Sequence, residues 1–177
     1  MKTVCLAVTG SIAAYKACDI VSQLRKKKYN VEVLMTENAT KLVTPLTFQS
    51  LSKNQVRTEV MQEKMPERID HIDTAKEADL FIIAPATANI IGKVANGIAD
   101  DIVSTVALAC HDIPMLIAPA MNTYMYENPA TKENIEKLVK RGWQEIEPKE
   151  SLLACGDVGK GALANVDTIV SKIMNNL

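Results

Sequence analysis

The chain has 177 residues, 20 Lys and Arg against 21 Asp and Glu, and 47% hydrophobic residues, enough for one domain with its own core. A net charge of −1 argues against a nucleic-acid surface or a charged interaction tail. The apolar runs are too short for a membrane span.

The N-terminus carries a charge followed by apolar residues, as a signal peptide does. Its apolar part is too short, and Gly10-Ser11 leads straight into a helical pattern. Residues 3–9 are therefore expected to form a parallel strand buried on both faces. Residues 12–28 read as a helix, with Ile12, Ala13, Lys16, Ala17, Ile20 and Leu24 tracing one face and Arg25 to Lys28 at the negative end of its dipole. Residues 31–35 form a second strand, giving a right-handed crossover unit. The turn at Gly10, Ser11 and Ile12 places backbone N–H groups where they could meet an anion. It lacks GxGxxG, so it suits a single phosphate or a plain turn. Thr36 and Asn38 could hold a phosphate or cap the next helix. Thr44-Pro45 starts a helix containing Phe48, a core residue or an aromatic near a cofactor. Residues 52–68 are expected to be a long connection with a short strand at 55–60.

A short amphipathic helix follows from residue 69. It holds His71 between Asp70 and Asp73, either as a surface or capping residue or as a group that exchanges a proton near neutrality. Residues 79–84 are a buried strand running into Pro85-Ala86-Thr87-Ala88-Asn89, and Ala-Pro-Ala recurs at 118–120 after another strand. Such small side chains let a flat ligand approach the backbone. Thr87, Asn89 and Lys93 could line its polar edge, or serve as cap and surface charge. Residues 100–110 form an apolar helix capped by Asp100 or Asp101, with Ser104 and Ala107 on one face. His111 suits the end of that helix's dipole.

Residues 115–118 form a strand that Pro119 ends. Asn122 follows, a lone amide where α/β sheets bind ligands; its alternative is a turn amide bonding its own backbone. Asn128-Pro129 opens a helix to about Arg141, closed by Gly142. Residues 144–147 are a short last strand. Residues 152–163 carry three glycines and read as a flexible lid, on which Cys155 could reach a substrate. Residues 166–174 close the chain as a helix. The four cysteines form no CxxC pair or metal spacing. No metal is expected, and a reducing, cytoplasmic location is.

Taken together, residues 119–125 (PAMNTYM), residues 154–161 (ACGDVGKG), His71-Ile72 and residues 88–93 (ANIIGK) resemble the flavin-dependent cysteine decarboxylases along essentially the whole chain. The resemblance implies a Rossmann-like, flavodoxin-like α/β fold, doubly wound on a mainly parallel sheet, as one domain over residues 1–177. It implies bound FMN and a homotrimer, or an assembly of trimers, with active sites at subunit interfaces. It assigns flavin contacts to Gly10, Ser11, Ile12, Thr36, Thr87, Asn89, Ser104 and Ala120. From the residues themselves Asn38, Phe48 and Lys93 are added as candidates, with Ala88 and Ile90 from the motif they flank. Asn122 and Met125 become substrate contacts, His71 the base and Cys155 the acid.

The implied reaction is decarboxylation of phosphopantothenoylcysteine to phosphopantetheine in coenzyme A biosynthesis. It proceeds through oxidation of the thiol to a thioaldehyde, loss of CO2 and reduction of an enethiolate. The alternatives are decarboxylation of a C-terminal cysteine in a peptide, flavin prenyl transfer, or a non-catalytic flavin-binding regulatory subunit. The chain departs from the family pattern at Tyr126, where Trp is common, and at Ala162-Leu163, where Arg-Met is common. A synthetase activity that makes the substrate would reside on a separate polypeptide.

Overall fold

The computed structural model describes residues 1–61, 69–152, 156 and 158–177. The order begins β1 (Thr3–Val8), a 3-10 turn (Ile12–Tyr15), α1 (Lys16–Lys26), β2 (Asn30–Met35), α2 (Glu37–Thr40) and α3 (Pro45–Ser52). It continues α4 (Asp70–Glu77), β3 (Leu80–Ala86), α5 (Ala88–Ala95), α6 (Ile102–Ala109) and β4 (Met115–Pro119). Then come α7 (Thr123–Glu127), α8 (Pro129–Lys140), β5 (Gln144–Glu145), β6 (Lys149–Leu152), β7 (Val158–Ala162) and α9 (Val166–Met174).

Five strands form a parallel sheet in the order β2-β1-β3-β4-β5. The strands are apolar along their length because each face meets helices. Val4, Leu6, Val8, Leu80, Ile82, Leu116 and Ala118 pack with Ile20 and Leu24 of α1, Phe48 of α3 and Ile169 of α9. Their neighbours Cys5, Ala7, Phe81, Ile83 and Ile117 face Ile90 of α5, Val103 and Val106 of α6 and Leu138 of α8. The period-2 alternation of a strand thus splits one continuous apolar run between two cores, and the sheet is doubly wound. Phe81 and Trp143 meet edge to face, 6.1 Å between ring centroids.

The fold departs from the sequence expectations in four places. The first helix is divided: Ser11 caps a 3-10 turn by accepting from the Ala13 N–H, and α1 begins only at Lys16. The strand expected at 55–60 is reduced to one parallel bridge, Leu34 to Arg57, held by Met35 N–H to Arg57 O at 2.9 Å and by the Arg57–Glu32 ion pair at 2.6 Å. β3 runs through Pro85, because the ladder shifts register between Ile83 and Ala86 where the missing N–H would fall. The expected lid holds a strand, β7, which pairs antiparallel with β6 just ahead of the lid. Among the described residues, no helix is long and apolar enough to cross a membrane.

Candidate active site

In this strand order the chain reverses direction of travel between β1 and β3, and α/β sheets bind ligands outside the strand ends at such a point. A cavity of about 840 Å³ lies there, within the range of small-molecule sites. Thr9, just past β1 and 1% exposed, laces the two strand ends together. Its hydroxyl donates to Pro85 O at 2.6 Å and accepts from the Thr87 N–H at 3.1 Å.

Gly10, Ser11 and Ile12 line the cavity from the first turn, Thr36 and Asn38 from the end of β2, and Thr87, Ala88, Asn89 and Ile90 from the start of α5. Gly10 is required here: a Cβ on it would lie 2.6 Å from Asn38 Cβ, so the turn closes only on a bare backbone. Three short hydroxyls cap the elements that open onto the cavity. Ser11 accepts from Ala13 N–H at 3.3 Å, Thr36 from Ala39 N–H at 3.3 Å, and Thr87 from Ile90 N–H at 3.2 Å. Each of these residues is thus a helix cap that also lines the cavity.

Ala120, Asn122 and Met125 also line the cavity, Ala120 tied to the end of β3 by its N–H donating to Ala86 O at 3.0 Å. Asn122 Oδ1 caps α7 by accepting from Tyr124 N–H at 2.8 Å, which fixes the amide at the cavity edge. The turn carrying it is held from behind by β7. Met121 N–H donates to Gly161 O at 2.9 Å. A Cβ on Gly161 would overlap the Met121 carbonyl oxygen, and one on Gly159 would lie 2.5 Å from Thr123 Oγ1. Both backbone φ angles lie outside the left-handed region, so the glycines at 159 and 161 serve close approach. The sequence reading took them as flexibility; in the structure they are packing. Of these three glycines, Gly156, with φ of 91°, is the one that needs glycine's backbone freedom.

Lys93 also lines the cavity, but its ammonium is held by Asp100 at 2.6 Å and Asp101 at 2.9 Å. Burial alone would lower the Lys93 ammonium; these two hydrogen bonds outweigh it and hold it above its ordinary value. Burial likewise disfavours the Asp101 carboxylate, and bonds from the Ser104 N–H and Lys93 more than offset it, so its pKa is lowered. The polar edge expected at Lys93 is thus an ion-pair cluster.

Among the described residues, three expected site residues do not line this cavity. Ser104 is 1% exposed and closes the capping box of α6 with Asp101, where its hydroxyl is engaged by the backbone. Phe48 is fully buried among Val and Leu side chains under β1 and β2, so an aromatic role beside a ligand is replaced by packing. His71 lies on α4, which packs on α6, and its Nδ1 is buried with no hydrogen-bond partner among the described residues. Cys155 lies outside the described residues. The described cysteines Cys5, Cys18 and Cys110 are free, and burial pushes each thiol up, Cys110 to about 12, which keeps them protonated and unreactive.

Sequence reasoning missed Thr9, Tyr15, Lys16 and Met121 on the lining. A Thr closing an otherwise apolar strand was the legible signal for Thr9. Tyr15 and Lys16 were hidden inside what reads as one continuous helix.

Residues 1–177 match the family described as Flavoprotein. The chain belongs to the flavoprotein family. It is 56% identical over 177 residues to a protein of Streptococcus mutans named a probable phosphopantothenoylcysteine decarboxylase, covering 99% of both chains. It is 53% identical to the coenzyme A biosynthesis bifunctional protein CoaBC of Bacillus subtilis, covering 96% of this chain and 41% of that one. Among solved structures, a mutant PPC decarboxylase complexed with pantothenoylaminoethenethiol superposes with a TM-score of 0.86 at 29% identity, covering 98% of this chain and 97% of that one. SpaF, an FMN-dependent cysteine decarboxylase, superposes with a TM-score of 0.86 at 28% identity, covering 99% and 97%. The flavoprotein cavity at the β1/β3 reversal suits a flavin chemically: a bare-backbone turn at Gly10, small residues Ala88 and Ala120 on its lining, and neutral hydroxyls around them.

Proposed function

We propose that residues 1–177 act as one decarboxylase domain that binds FMN and converts phosphopantothenoylcysteine to phosphopantetheine, with residues 152–163 as its lid. The observation that carries this reading is the cavity itself, which sets a flat-ligand cradle (Gly10, Ala88, Ala120) beside the neutral amide of Asn122. The 56% identity over full length with a protein named for this reaction supports the substrate.

The two-electron chemistry at the substrate thiol would be supplied by bound FMN. Gly10, Ser11, Ile12, Thr36, Asn38, Thr87, Ala88, Asn89, Ile90 and Ala120 would hold it. Asn122, fixed by the α7 cap, would hold the substrate carboxylate without a full cation. A cation there would stabilise the charge that the reaction must discharge. Met125 would supply an apolar wall. His71 would move a proton at the substrate, and Cys155 would return one to the product carbon.

His71 stands outside this chain's cavity, and the exposed Ile12, Tyr15 and Met125 surround the cavity mouth. Both features suit a homotrimer in which one copy brings His71 to another's cavity. Free cysteines at positions 5, 18 and 110 suit the cytoplasm. The test is competition: FMN-loaded protein receives phosphopantothenoylcysteine together with a peptide ending in cysteine. Preferential turnover of the first supports the assignment; preferential turnover of the peptide replaces it.

A further inference from the structure

We propose that Lys16 is the phosphate contact of this cavity, binding the phosphate monoester of a ligand held there. The inference rests on the reading above, in which cofactor and substrate both carry such a group.

Lys16 lines the cavity at the first position of α1. The charges around it are otherwise balanced. Lys93 is bonded to both Asp100 and Asp101, and the lining carboxylate Glu37 is paired with Lys41 at 2.8 Å. Among the described residues no carboxylate pairs with Lys16, and its one electrostatic neighbour is the Tyr15 ring, 5.8 Å from Nζ. A lysine on a cavity wall without a counter-ion leaves a positive charge facing the space where a ligand would sit. An anion in the cavity would pair with it.

The chemistry of that anion follows from the contrast between Asn122 and Lys16 on the lining. Asn122 is neutral and suits a carboxylate that must leave. A permanent ammonium suits an anion that keeps its charge throughout, and Lys offers three donors from a compact charge, as a phosphate monoester requires.

Two ligands could bring the phosphate, and Lys16→Gln separates them. In the first arm, flavin-free protein is titrated with FMN and with riboflavin by quenching of flavin fluorescence. In the second, FMN-loaded protein is assayed with phosphopantothenoylcysteine and with pantothenoylcysteine. The proposal expects one arm to lose selectivity for the phosphorylated ligand by about tenfold to a hundredfold, the range for one hydrogen bond to a charged group. Lys16→Arg retains that selectivity in the same arm, and the loss shrinks as salt is raised. Loss in the first arm places the flavin phosphate at Lys16; loss in the second places the substrate phosphate there. Wild-type ratios in both arms overturn the proposal. If wild-type protein turns over neither substrate, the functional reading fails and the flavin arm alone decides Lys16.

Discussion

The contact between β7 and the turn bearing Asn122 can be taken apart by one pair of substitutions. Gly159→Ala places a methyl group 2.5 Å from Thr123 Oγ1 and 2.8 Å from Thr123 Cγ2. Both are side-chain atoms of one residue, so either Thr123 leaves its rotamer or β7 moves back. Overpacking of this kind costs about 1–3 kcal/mol. Thr123→Ala removes both atoms and leaves only Cβ, 3.1 Å away, which a shift of a few tenths of an ångström accommodates. Thr123 Oγ1 is buried without a hydrogen-bond partner among the described residues, so deleting it alone breaks no bond between them. The four proteins of this cycle are assayed for kcat and KM with FMN content and thermal midpoint measured alongside. Gly159→Ala is expected to raise KM at least about tenfold, the equivalent of ~1.4 kcal/mol, with flavin retained. The double variant recovers most of the loss, a coupling of about 1 kcal/mol or more. Gly161→Ala meets the Met121 backbone oxygen and has no such rescue. Additive effects of Gly159→Ala and Thr123→Ala would refute the claim that β7 positions the turn.

Other consequences follow from the same geometry. Thr9→Val removes the hydroxyl that bridges Pro85 O and the Thr87 N–H, and is expected to destabilise the protein by about 1–3 kcal/mol in urea unfolding. His71→Asn should keep flavin and abolish decarboxylation, while Cys155→Ser should release CO2 yet fail to complete the product, both checked by product mass. Lys93→Met removes a partly exposed ion-pair cluster, a loss of about 1 kcal/mol. Its pH dependence has a fixed sign. The lowered Asp101 contributes stability above the usual carboxylate range near ~4, lost as pH falls through its folded value; the raised Lys93 contributes below ~10.4, lost as pH rises through its folded value. The stability gap between wild type and Lys93→Met should therefore be flat near neutrality and close in acid.

The parallel sheet was legible in the sequence because each strand is a short apolar run bounded by Gly, Pro or a polar cap, and helices alternate with strands between them. The turn residues Gly10, Thr36, Thr87 and Asn122 were legible as a set because each ends a strand, and ends of parallel strands share one side of the sheet. What was hidden was long-range contact. Residues 159 and 161 look like flexibility until Met121 and Thr123 are seen against them. Phe48 carries no mark of which face of α3 is buried, since that helix's pattern is weakly amphipathic and α1 covers it. Lys93 reads as a surface charge because its partners, Asp100 and Asp101, lie beyond the next turn of chain.

The most direct measurement is an anaerobic incubation of FMN-loaded protein with phosphopantothenoylcysteine carrying a ¹³C carboxyl carbon, with labelled CO2 and product mass followed together. The account predicts one labelled CO2 for each phosphopantetheine formed. A yellow protein that returns the substrate with its label intact would contradict it.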